Sequence, residues 1–235
     1  MQVTWGRAAA MILVGLALLA ACGGDAPTAD DAEVQAALDE LAIEVEDAAD
    51  ELARVARSEL PAGAEVVATR AYRDCTEGQH DWKRDDPFDL SCVVGHAVVV
   101  AVPSDATFRA DMAELDDALQ ATGLADRRSE REDSQGLAHV AEDYFGLLGH
   151  ELSIDPDGQP VIYGPQDLPP ASYNSAEDDL ELTLAFTGPR DEALARSDDQ
   201  YRDPAGRRLD PGEVLDLLTD QAYALVVDVH ADEAW

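Results

Sequence analysis

Four side chains combine types and spacing that could do chemistry: Cys75, His80, Cys92 and His96. Thiolates and imidazoles are ordinary zinc ligands, and a structural site takes four of them in a tetrahedron. This spacing matches no standard finger, and His96 lies inside the valine-rich run "LSCVVGHAVVVAV", so a bound metal is not the expectation. The two cysteines by themselves suit a disulfide. Both sit in or beside segments that read as strands, and closing the short loop between them would contribute about 3 kcal/mol by the chain-entropy argument. The bridge would fasten the polar stretch "TEGQHDWKRDDPFDLS" to a sheet.

The other histidines lack a partner set. His139 and Asp143 share a helical face at four-residue spacing, and His150 stands beside Glu151 in "GHELS", but the second histidine of H-E-x-x-H is missing. There is no G-x-S-x-G nucleophile turn, no glycine-rich phosphate loop and no Ser-x-x-Lys. No catalytic residue is assigned and no cofactor is implied. A binding or envelope-interaction module, taking an envelope protein or a small ligand, is the leading reading. A hydrolase with a dispersed site drawing on His139 and His150 is the alternative.

Acidic residues are far more abundant than basic ones, 50 against 16, for a formal net charge of −34. Such a polyanion repels nucleic acid and anionic bilayer surfaces and gathers nonspecific cations. Adjacent acids such as Asp85 and Asp86, Asp116 and Asp117, or Asp178 and Asp179 therefore read as solvated faces. "DPDG" begins like a calcium loop but lacks the later ligands and the closing glutamate, so it reads as a hairpin turn. Asp198, Asp199, Asp203 and Asp210 could hold calcium only if their loop folds back on itself. Hydrophobic residues still make up 46% of the chain, enough to predict a folded domain beneath the acidic coat.

Cys22 has a different context. Residues 8–21 form an uncharged, mostly apolar run after Arg7, shorter than the about 20 residues that cross a bilayer core, and laid out like an export signal. The run ends in "LAAC", Leu19 to Cys22, followed by two glycines. This segment resembles the lipobox of bacterial lipoproteins. The resemblance covers the leader alone and implies cleavage before Cys22, acylation of its thiol, and attachment to the cell membrane on the extracytoplasmic face. Residues 1–21 would be the signal peptide, and their loss removes only Arg7, taking the charge from −34 to −35. An exported setting is also the oxidising one in which Cys75 and Cys92 would pair.

The elements that position these residues follow from periodicity. Residues 22–30 are small, polar and proline-containing, a tether of at most about 30 Å. Residues 31–235 form one acidic domain. Val34, Leu38, Leu41, Val45, Ala48, Leu52 and Val55 recur at steps of three and four, which predicts a long amphipathic helix over 31–60. "AEVVATRAY" and "LSCVVGHAVVVAV" read as strands, the second buried on both faces. Ser104 is the expected cap of a helix that carries Phe108, Met112, Leu115 and Leu119 inward and stops at Gly123. A further helix over 136–149, a hairpin over 151–164, a proline-rich loop around 168–171 and the strand "DLELTLAF" follow. Asp210 and Pro211 start a last helix that leads into the strand "YALVVDV". This order predicts an α+β single domain: a mixed or antiparallel sheet packed by several helices and preceded by the long helix.

Overall fold

The computed structural model describes residues 26–123, 137, 165, 170–174, 180–189, 194 and 200–235. They form one α+β domain around a seven-stranded sheet. In chain order the elements are α1 (Ala32–Glu59), β1 (Glu65–Glu77), β2 (Leu90–Val102), α2 (Phe108–Ala121), β3 (Ala171–Asn174), β4 (Leu180–Thr187), β5 (Tyr201–Arg202), β6 (Arg208–Leu209), α3 (Pro211–Leu218) and β7 (Tyr223–Ala234). The strands lie in the order β3-β4-β7-β2-β1-β5-β6, and every pair is antiparallel. The sheet is therefore antiparallel rather than mixed.

Burial explains the arrangement. In β4 and β7 buried residues alternate with partly exposed ones, the pattern of strands with one dry face. Their inward residues, from Leu180 to Phe186 and from Tyr223 to Ala231, join Val98, Val100 and Val102 of β2 on the first face. Over that face lie α1, through Val45, Ala49, Leu52 and Ala56, and α2, through Phe108, Met112, Leu115 and Leu119. The stripe of α1 is thus part of the domain core and does not stand ahead of it. On the second face, Val214 and Leu218 of α3 meet Val67, Val99, Ala101, Tyr201 and Ala224.

The helix ends show how local chemistry sets boundaries. Asp210 caps α3: its carboxylate accepts from the Glu213 N–H at 2.9 Å, while Glu213 accepts from the Asp210 N–H at 2.9 Å, a reciprocal capping box with proline at the first turn. Helix α2 begins later than expected. Thr107 is its cap residue, because the Ser104 hydroxyl instead accepts from the Ala106 N–H in the turn before it. Gly123 follows α2 with φ +76°, the left-handed conformation a glycine tolerates after a helix.

Asp116 departs from the expected solvated face, since it is wholly buried. One carboxylate oxygen accepts from the Tyr173 hydroxyl at 2.6 Å, the other from the Gln120 amide at 2.8 Å. The Tyr173 hydroxyl also accepts from the Leu137 N–H at 2.7 Å. This chain ties α2 to the edge strand β3, which begins at Ala171, where the expected proline-rich loop around 168–171 ends. The expected helix over 136–149, apart from Leu137, and the hairpin over 151–164 lie outside the described residues.

Removing the buried acceptor leaves buried donors unsatisfied, which costs about 1–3 kcal/mol. Asp116→Ala should lower the urea midpoint accordingly with an unchanged m-value. The exposed neighbour Asp117 gives the control: Asp117→Ala should stay within about 0.5 kcal/mol of the parent.

Candidate functional site

Beyond the reach of α3, the second face of the sheet turns polar. Register places two rows of side chains across four strands. One row runs Tyr72, Gly95, His230, Glu181, and the next runs Arg70, Ala97, Asp228, Thr183. The central strand β2 contributes only Gly95 and Ala97, so side chains from β1 and β7 can lean together over it. A Cβ at Gly95 would lie 2.0 Å from Cζ of Tyr72. The bare glycine is what lets the Tyr72 ring cross β2.

Tyr72 reaches the far side and donates from its hydroxyl to Oδ1 of Asp228 at 2.8 Å. The Arg70 guanidinium stands 3.7 Å from the other carboxylate oxygen, with its carbon 5.1 Å from the Tyr72 ring centre and 5.8 Å from that of Tyr201, within cation–π range of both. His230 sits between two acids. Its Nε2 is 3.4 Å from Glu181 and its Nδ1 is 3.7 Å from Asp228. The second distance is too long for a hydrogen bond, so Asp228 acts on Nδ1 through its charge. Arg70, Asp228 and His230 keep 22%, 20% and 25% of their side-chain surface, and Glu181 keeps 45%, so the cluster is open to a ligand while held in place.

The electrostatics follow from this packing. Burial, reinforced by the Asp228 carboxylate, holds the Tyr72 phenol protonated far above its ordinary range. It is a fixed donor. Asp228 first, then Glu181 and Asp232, raise the His230 pKa against the opposing effect of burial. With His230 charged, three carboxylates face two cations, and the patch keeps a net negative charge. The arrangement can orient a small polar ligand.

The residues singled out from sequence go elsewhere. Cys75 and Cys92 are direct partners in the β1–β2 ladder and form a disulfide, with Cα atoms 4.0 Å apart, closer than the common 5.5–6 Å. On the first face Cys92 packs with Val34 and Leu38 of α1. His96 is buried, with Nε2 unpartnered. His80 instead lies in the β1–β2 loop, with Nδ1 2.9 Å from Asp85 and Nε2 3.0 Å from Asp89. The four candidate zinc ligands are thus not brought together. Asp203 accepts from the Arg207 N–H and side chain, and Asp210 caps α3. Cys22, His139, Asp143, His150, Glu151, Asp198 and Asp199 lie outside the described residues.

The polar patch was missed by reasoning from motifs. Its trace in the sequence is Gly95 inside a run of valines, and the alternation that sets Asp228 and His230 on one side of β7. Comparison of the chain with protein families, curated proteins and solved structures finds no match. Among the described residues, no helix is long and apolar enough to cross a membrane, and no three His, Cys, Asp or Glu side chains are grouped to hold a metal ion.

Two measurements probe the patch. Gly95→Ala should be strongly destabilising alone yet far milder in a Tyr72→Ala background, with a coupling of about 0.5–3 kcal/mol in a double-mutant cycle; additive effects would mean the ring does not lie over Gly95. The raised His230 pKa carries a pH signature. Its contribution is complete below the unfolded value near 6.5 and is lost as pH rises through the higher folded value. The stability gap between the parent and His230→Gln should therefore narrow from mildly acidic to mildly alkaline pH.

Proposed function

We propose that the chain is a lipid-anchored, extracytoplasmic binding module whose ligand face is the polar patch of Arg70, Tyr72, Asp228, His230 and Glu181. One observation carries this reading: these partly exposed groups are already assembled across four strands by close packing over Gly95. Such preorganisation reduces the ordering cost of binding. The net negative charge and the carboxylates of Glu181 and Asp232 favour a small ligand that brings N–H donors and positive charge, an amine rather than an anion. The anchor is supported by "LAAC" at residues 19–22, and the disulfide suits an oxidising compartment.

The ligand reading is tested by thermal shift with small mono- and diamines at fixed ionic strength. A ligand that binds only the folded state stabilises by about 2.7 kcal/mol at 100 times its Kd, so the response should saturate and vanish in Asp228→Asn with Glu181→Gln. A gradual rise that both forms share would reduce the effect to screening of the acidic coat. The anchor is tested by intact mass of the membrane fraction, where loss of residues 1–21 and a gain of acyl mass at Cys22 are expected. A dominant uncut precursor would overturn it.

A further inference from the structure

The loop between β1 and β2 is a braced arm. At its base the Gly78 N–H donates to the Asp89 carbonyl at 2.8 Å, and a Cβ at Gly78 would lie 1.9 Å from the Phe88 carbonyl oxygen. His80 holds Asp85 and Asp89 together. At the apex the Asp81 N–H donates to the Arg84 carbonyl, while the Asp81 carboxylate accepts from the N–H groups of Lys83 and Arg84. Asp86 takes the Gln79 N–H and the Arg84 guanidinium. The acids of the arm are thus engaged within it. At the turn stand Trp82, 89% exposed, and Lys83, the only lysine of the chain, with its ammonium 4.9 Å from the indole centre.

The arm and the start of the described chain share one end of the domain. Val34 and Leu38 of α1 pack with Leu90, Cys92 and Val94 at the base of the arm, and Arg73 of β1 donates to Gln35 and Asp39 of α1. The chain therefore leaves α1 toward Cys22 from the end that bears Trp82. Residues 22–30 span at most about 30 Å. Trp82 lies five residues beyond Glu77, the last ladder partner of Leu90, so the arm projects up to about 17 Å at strand spacing.

We propose that the Trp82–Lys83 turn is a second membrane contact, seated at the headgroup level of the bilayer that carries the Cys22 lipid. Indole prefers this interface, where its apolar body and polar N–H are both accommodated, and an adjacent ammonium can meet lipid phosphate. The inference rests on the lipid-anchor reading above.

The test uses the processed full-length protein reconstituted into phosphatidylcholine vesicles with and without brominated acyl chains. Intact mass first establishes the lipid on Cys22. Brominated lipid should then quench a tryptophan component that is lost in Trp82→Phe, leaving only Trp235. Because Trp82 is exposed, this variant should fold, with an unchanged circular dichroism spectrum. Lipidated protein with no quenching, or with equal quenching in Trp82→Phe, would overturn the contact while the anchor stands. Shielding of Trp82 in native membranes but not in lipid vesicles would mean a protein occupant and would equally overturn it. A chain without acyl mass would remove both readings.

Discussion

Strand β2 imposes the constraint from which the rest of the structure follows. It has thirteen residues, about 44 Å of strand at ordinary rise, and its second half is apolar on both faces. Each face there must be covered. On the first face α1 and α2 do so along most of the strand. On the second face the helix is α3, whose eight residues extend only about 12 Å. The remainder of the second face therefore has to tolerate water, and it is where Arg70, Tyr72, Asp228 and His230 stand. The polar patch begins where helical cover ends.

Charge is distributed with the same economy. A net charge of −34 leaves few cations, and several of the described ones join elements. Arg73 ties β1 to the start of α1. Arg207 bonds Asp203 and Glu213, linking the β5–β6 turn to the capping box of α3. Exposed pairs of this kind add only about 0–1 kcal/mol each, so their contribution is to geometry more than to stability. Arg70 differs because it is mostly covered and packed on two tyrosine rings. Its neighbour Asp228 also accepts the Tyr72 hydroxyl, so no part of this group can be removed without leaving a partly buried charge or donor short of a partner.

The sequence made the local parts of this structure readable and concealed the long-range ones. The three- and four-residue steps from Val34 to Val55, the valine run of β2 and the Asp210-Pro211 start of α3 each record a local preference. The disulfide was legible because two cysteines flank one hairpin. The insertion of β7, the last strand, beside β2 at the centre of the sheet leaves no local mark. Without that pairing, Tyr72 and Asp228, 156 positions apart, have no reason to be considered together. The two-residue strands β5 and β6 were missed because such a short ladder has no measurable period. Asp116 looked like its solvated neighbour Asp117, since burial at one position and exposure at the next depends on the helix face, which acid pairs do not reveal.

The patch and the arm share strands, which couples their orientations. Tyr72 and Cys75 both lie on β1, and Cys75 is bridged to Cys92 on β2, so the base of the arm cannot shear against the strands that carry the patch. The end of β7 adds a further brace, with the Trp235 N–H donating to the Leu90 carbonyl and the Trp235 carbonyl accepting from the Asp89 N–H. From Tyr72 to Trp82 is ten residues, at most about 34 Å of extended chain. On the membrane contact proposed above, the strands would stand upright and the patch would open sideways. A ligand would then approach parallel to the membrane plane, within one domain length of the headgroups, and the rigid ladder would fix the height of the patch regardless of slack in the tether.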